Sequence, residues 1–162
     1  MTERIRRSYD LKASVAAVLA GLTDANAVRR RSEADGLGTR VVRHEVTGDA
    51  VRIVVATDIP LDWLPSMVTS RLGASATVER MEEWTWDGDG ARSPLTFEFS
   101  GLPVTCEGTA RLAAGGSGSR MDADLTLRVD VPLFGGAVER AVTPRIVAAL
   151  DTEAGFYDTL GG

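Results

Sequence analysis

From Pro132 to Leu160 the chain reads PLFGGAVERAVTPRIVAALDTEAGFYDTL. Apolar residues recur at Val138, Val142, Ile146, Ala149, Leu150, Phe156 and Leu160. Steps of three and four place them along one side of an α-helix. About 24 helical residues would run roughly 36 Å, about the width of a small domain. Nothing else in the sequence has that reach, and most of what precedes it reads as strand. A helix this long must lay its apolar side on something, and a curved sheet is the surface the rest of the chain can build. Glu139, Arg140, Asp151 and Glu153 read as its solvated side, with Glu153 falling nearest the apolar stripe.

Pro144 interrupts this segment. A proline inside a helix removes one backbone hydrogen bond and costs ~3 kcal/mol unless the helix bends or restarts. Thr143-Pro144 is also a good N-cap and first-turn pair. The element is therefore either one helix kinked near Thr143 or a turn followed by a helix from Pro144. The kinked helix is the preferred reading.

The earlier chain is punctuated clearly. Arg4 to Leu11 alternates, with Ile5, Tyr9 and Leu11 on one parity, and reads as a first strand. Ser14 and Asp24 are N-cap residues for two short helices. Arg29-Arg30-Arg31 falls on the second of these and reads as a solvated face in preference to an anion site. Thr39–Thr47 and Val51–Ile59 form a hairpin around Gly48-Asp49. Pro60 to Pro65 is a loop carrying Trp63. Further strands follow at Ser75–Trp86, Leu95–Phe99, Val104–Leu112 and Met121–Val131. In the last of these Met121, Ala123, Leu125, Leu127, Val129 and Val131 alternate with polar residues. The order is strand, two helices, six strands, long helix. Short turns between consecutive strands predict an antiparallel sheet.

Composition narrows the function. The 162 residues suit one domain spanning 1–162, and 44% hydrophobic content is too high for disorder. A net charge of −5 argues against a general nucleic-acid binder, which uses a basic surface to neutralise phosphates. The first residues lack the apolar stretch of a signal peptide, and no run is long enough for a membrane span. With one cysteine and no intrachain disulfide, the expectation is a cytoplasmic protein. His44 and Cys106 are the sole members of their kinds, so no Cys/His metal site can be built and no cofactor is implied. Nucleophile-elbow, metalloprotease and phosphate-loop motifs are missing.

The element order and long final helix resemble the helix-grip fold of the START-like (SRPBCC) superfamily, which includes birch-pollen-allergen-like proteins, lipid-transfer START domains and polyketide cyclases. Several local features resemble one family within it, the domain-of-unknown-function family numbered 2505. They are Asp58-Ile59-Pro60, Glu82-Glu83-Trp84, Gly101-Leu102-Pro103-Val104, Gly108-Thr109, Val131 to Gly136 with Glu139, and Glu153. Pro144 departs from the uninterrupted helix expected of the relatives. The resemblance implies an α+β fold, a seven-stranded curved antiparallel sheet wrapped around the last helix, with a cavity between them. It implies no activity.

Against that background some residues are candidates for a ligand site. His44 shares the parity of Val42 and Val46. If that parity faces inward, His44 is a general base or a ligand partner; otherwise it is a core or edge histidine. Trp84 and Trp86 share parity with Arg80 and Glu82. If the tryptophans face inward, Arg80 and Glu82 form a polar handle in a pocket, or a salt bridge at its wet end. Trp63 lies where loops of this fold meet the cavity mouth, as a gate or as packing. Ile146, Leu150 and Phe156 face the sheet and line whatever space it leaves. Cys106 reads as a small core residue.

Three functional readings follow. The first is binding of a hydrophobic small molecule, lipid or polyketide-like, in the cavity. The second is a cyclase- or aromatase-like enzyme using His44, Arg80 and Glu82. The third is a co-chaperone-like interaction module. The first is preferred, because no convergent acid–base set is legible; oligomeric state is left open.

Overall fold

The computed structural model describes residues 2–70 and 76–161. Strand β1 (Thr2–Leu11) leads into helices α1 (Val15–Thr23) and α2 (Ala25–Glu33). Ser14 Oγ accepts from the Ala17 amide and Asp24 accepts from the Asn26 and Ala27 amides, so both helices start at side-chain caps. Strands β2 (Arg40–Thr47) and β3 (Ala50–Ile59) follow as a hairpin. A 3-10 turn (Leu61–Trp63) lies within the Pro60–Pro65 segment read as a loop, and a short helix α3 (Ser66–Thr69) follows it. The sheet continues through β4 (Ala76–Asp87), β5 (Gly90–Ser100), β6 (Val104–Gly115) and β7 (Gly118–Val129), and ends at helix α4 (Gly135–Thr159). The expected start of the fourth strand, Ser75, lies outside the described residues.

The seven strands lie in the order β1-β7-β6-β5-β4-β3-β2, and every neighbouring pair is antiparallel. Strands β2 to β7 meander, while α1 and α2 carry the chain from one edge of the sheet to the other. The inward parity of β7 is buried from Ser119 through Val129, as its alternation predicts. Strands β5 and β6 extend beyond the apolar runs that mark them. Their ends carry small residues, Gly90-Ala91 and Ala113-Ala114-Gly115, whose ladder bonding continues without a hydrophobic signal. A Cβ added to Gly108 would lie 1.9 Å from the Asp124 carbonyl oxygen on β7. Glycine is therefore required where these two strands press together.

Helix α4 is one 25-residue element with Pro144 inside it, so it does not restart there. Its buried face runs through Val138, Val142, Ile146, Leu150, Glu153, Ala154 and Tyr157. Phe156 and Leu160, expected on that face, are only half-buried. Counting apolar residues alone skips Glu153 and so shifts the stripe by one residue at its end. Two cores result. The N-terminal half of α4 packs with Leu95, Phe97, Leu125 and Leu127. The C-terminal half, through Tyr157, joins α1 and α2 over Ile53, Trp84 and Leu112.

Pro144 is exposed, so its ring contributes no core packing. Replacing it should restore a helix hydrogen bond without disturbing either core. Pro144→Ala is expected to raise the unfolding free energy by roughly 1–3 kcal/mol, read as a higher urea midpoint with an unchanged slope.

Candidate functional site

At the seam between the two cores lie four charged side chains, three of them buried and Arg80 partly so. Arg31, in the last turn of α2, shares a buried face with Ala27, Val28 and Ser32, while Arg29 and Arg30 point to solvent. The arginine run is thus split by helical phase, and only part of it is the solvated face that charge alone suggests. Glu82 projects inward from β4, flanked by Ile53 on β3 and Leu95 on β5. Arg80 lies two residues earlier on the same face. Glu153 comes from α4 and is buried, contrary to its reading as a solvated residue.

Arg31 grips Glu82 with both ends of its fork, Nη1 to Oε1 at 3.2 Å and Nη2 to Oε2 at 2.7 Å. This bidentate geometry is the strong form of the pair. Arg31 Nη1 also donates to the Tyr157 hydroxyl at 2.7 Å, and that hydroxyl donates to Glu153 Oε1 at 3.0 Å. Trp84 Nε1 donates to Glu82 Oε1 at 2.9 Å. Arg80 Nη1 is in close contact with Glu153 Oε2, and Arg80 Nη2 lies 3.5 Å from Glu82 Oε1. The side chains of Arg31 and Glu82 are 4% and 1% exposed, against 12% and 7% for Arg80 and Glu153.

Two cations face two anions, so the network is neutral as a whole. Burial pushes the Glu82 carboxyl up, but the charges of Arg31 and Arg80, with hydrogen bonds from Arg31 and Trp84, outweigh it and hold the group at about 2. Burial works against the Arg31 charge too, and Glu82, Tyr157 and Glu153 together lift it well above the ordinary arginine value. Burial pushes the Tyr157 hydroxyl well above its ordinary range, so it remains protonated and able to donate.

Arg80 and Glu153 are the face of this network that reaches a cavity of about 130 Å³ between the sheet and α4. Its walls are mostly apolar, among them Val55, Val78, Phe97, Phe99, Val142 and Ile146. Trp63 and Arg145 stand at the mouth, with the guanidinium 3.8 Å from the indole centroid. This cation–π contact ties the 3-10 turn to α4. Asp35, Thr39 and Thr57 add a polar rim, where the Thr39 hydroxyl lies 3.0 Å from Asp35 Oδ2 and 2.7 Å from Thr57 Oγ1.

Of the residues singled out from the sequence, Trp63, Arg80 and Ile146 line this cavity. Glu82 lies beneath it in the ion network, and Trp84 and Leu150 are buried in the second and first cores. Phe156 is half-buried against the second core. His44 is elsewhere: its Nε2 lies 2.8 Å from the Leu22 carbonyl oxygen near the end of α1, to which it donates. His44 does share the inner face with Ile53. Val42 is exposed because a bulge between Val41 and Arg43 shifts the strand's parity, and Val46 is exposed as well. Cys106 is buried in the first core, and burial followed by the Glu107 charge pushes its thiol up to about 12. Among the described residues no three metal-ligating side chains cluster, and no helix is long and apolar enough to cross a membrane.

The sequence reading placed Arg31 and Glu153 on solvated faces and did not single out Tyr157 or Arg145. Arg31 could have been found from its spacing to Ala27 and Val28, and Glu153 from its place three residues after Leu150 and four before Tyr157. Arg145 gives no such signal.

The family described as "Protein of unknown function (DUF2505)" matches residues 6–160. Among curated proteins none matches this sequence. TTHA0849 from Thermus thermophilus has a similar crystal structure, with a TM-score of 0.57 at 18% identity, covering 99% of this chain and 97% of that one. Protein Ms6760 from Mycobacterium smegmatis gives 0.55 at 10%, covering 97% and 89%. The di-domain ARO/CYC StfQ from the steffimycin biosynthetic pathway gives 0.60 at 12%, covering 99% of this chain and 51% of that one. At these identities the likeness is one of fold, and it is the helix-grip fold.

The network makes two measurable demands. Arg31→Met strands the Glu82 carboxylate and is expected to cost about 3–5 kcal/mol, whereas Arg31→Met with Glu82→Leu leaves the Arg80–Glu153 pair balanced and recovers most of that loss. Chemical denaturation of both variants measures the difference. Glu82 is held at about 2 against an ordinary 4.5, so the unfolded chain binds its proton first as pH falls. Its contribution is complete above the ordinary value and lost as pH drops towards about 2. Stability measured across that window should fall less steeply for Glu82→Gln than for the parent.

Proposed function

The chain belongs to the DUF2505 family, and we propose that it binds a hydrophobic small molecule, lipid or polyketide-like, between the sheet and α4. The observation that carries this is the cavity itself: apolar walls meeting one charged end at Arg80 and Glu153. Convergence of an apolar surface on a few fixed polar groups is the usual form of a small-molecule site. The residues proposed to contact the ligand are Trp63, Arg80 and Ile146, with Glu82 and Trp84 fixing Arg80 from below. Leu150 and Phe156 support the wall, and His44 supports α1.

At about 130 Å³ the space compares with an engineered apolar cavity of roughly 150 Å³ that holds benzene. It is smaller than the ~300–1,000 Å³ of drug-sized sites. A ligand the size of a lipid or polyketide therefore seats one end here and passes out between Trp63, Arg145 and the polar rim, or parts that contact.

A cyclase-like activity is the second reading. It is favoured by the position of Arg80 and Glu153 at the cavity wall, where one cation and one carboxylate would meet a bound carbonyl compound. It is the weaker reading because the Glu153 carboxylate is already held by Arg80, Arg31 and Tyr157. No observation favours a co-chaperone-like role.

Native mass spectrometry of protein purified from its own host tests the proposal. The parent should carry an apolar adduct that denaturation releases, and Ala149→Phe, which fills the cavity from α4, should not. A clean apo mass for the parent across repeated preparations, or equal loading of the filled variant, overturns it.

A further inference from the structure

The charged end of the cavity has a polarity of its own. Arg80 carries five N–H donors, and its contacts are two carboxylate oxygens, Glu153 Oε2 and Glu82 Oε1. Its Nε is buried without an acceptor. The guanidinium carbon also lies 5.5 Å from the Phe97 ring centroid. Donors are thus in surplus at this wall. The acceptors are fewer: Glu153 Oε1 accepts from Tyr157, Glu153 Oε2 has no hydrogen bond but is held in the ion-pair contact with Arg80, and Glu82 takes Arg31 and Trp84.

Charge is balanced where donors are not. Arg31 and Arg80 are matched by Glu82 and Glu153, with three of the four buried and Arg80 partly so. A ligand carboxylate or phosphate brought against Arg80 would add an uncompensated negative charge a few ångströms from Glu153, at a site where water cannot screen it. A neutral acceptor would take the spare donors and leave the balance intact.

We infer that the buried end of the ligand is a neutral hydrogen-bond acceptor, a ketone or comparable carbonyl oxygen attached to an apolar body, received by the spare donors of Arg80. This rests on the binding reading above and adds the chemistry of the buried end. It separates a ligand with a carbonyl terminus from a free fatty acid, whose carboxylate would have to lie outside at the mouth.

Three probes of one shape distinguish the alternatives: ethylbenzene, acetophenone and benzoate, titrated at neutral pH by isothermal calorimetry or ligand-observed NMR. Acetophenone should bind about tenfold tighter than ethylbenzene, and benzoate at least tenfold more weakly than acetophenone. In Arg80→Lys, which keeps the positive charge but loses Nε and the planar fork, the ratio of acetophenone to ethylbenzene affinity should fall from about tenfold to about one. If that variant does not fold, the parent series still decides. Equal affinity for ethylbenzene and acetophenone, or tightest binding of benzoate, overturns the inference and leaves the binding reading standing. Failure of all three to bind overturns both.

Discussion

Everything around the cavity depends on the neutral ion network at the seam of the two cores. Isolated buried charges are among the costliest groups a protein can hold, and a buried pair often contributes less than apolar residues of the same volume. Here each charge has an opposite partner, and Arg31 and Glu82 meet through two parallel hydrogen bonds. The network joins α2, β4 and α4, three elements that share little other contact. Orientation, rather than net attraction, is what such an arrangement supplies. It fixes where α4 crosses the sheet and thereby where the cavity opens.

Much of this fold was legible because its signals are local. The alternation from Met121 to Val129, the caps at Ser14 and Asp24 and the spacing of Val138, Val142 and Ile146 each act within a few residues. Sheet order then follows from short turns. The site was legible only in part. Arg80 and Glu82 could be placed on the parity of Trp84, but their inward direction depends on pairing with β3 and β5. Arg31 and Glu153 are polar residues on apolar faces, and hydrophobic periodicity treats such positions as gaps. The bulge after Val41 moved Val42 outwards, and no residue type there announces it. Long-range partners, not propensities, decide these positions.

The two ends of the cavity are held by different physics. Its inner end is set by dense, dry electrostatics that salt cannot screen. Its mouth is held by the stacked pair of Trp63, half-buried, and Arg145, exposed, and by the hydrogen bonds of the Asp35–Thr39–Thr57 rim. Stacked contacts of that kind contribute about 0.5–1 kcal/mol at exposed sites, far less than breaking the inner network costs. The molecule therefore yields first at the mouth.

The order of strands has a consequence for how the chain comes together in time. β1 precedes the other six strands in the chain and, among the described residues, its one strand partner is β7, from Thr2 opposite Arg128 to Leu11 opposite Ser119. Until β7 has been made its alternating apolar residues have no strand partner, and α4, which packs beside it, emerges later still. Contacts this distant in sequence carry a large loop-closure cost before they return any stability, and they slow folding. Strand β1 is thus among the last of the seven to be secured, and it must be kept from pairing elsewhere until β7 is available.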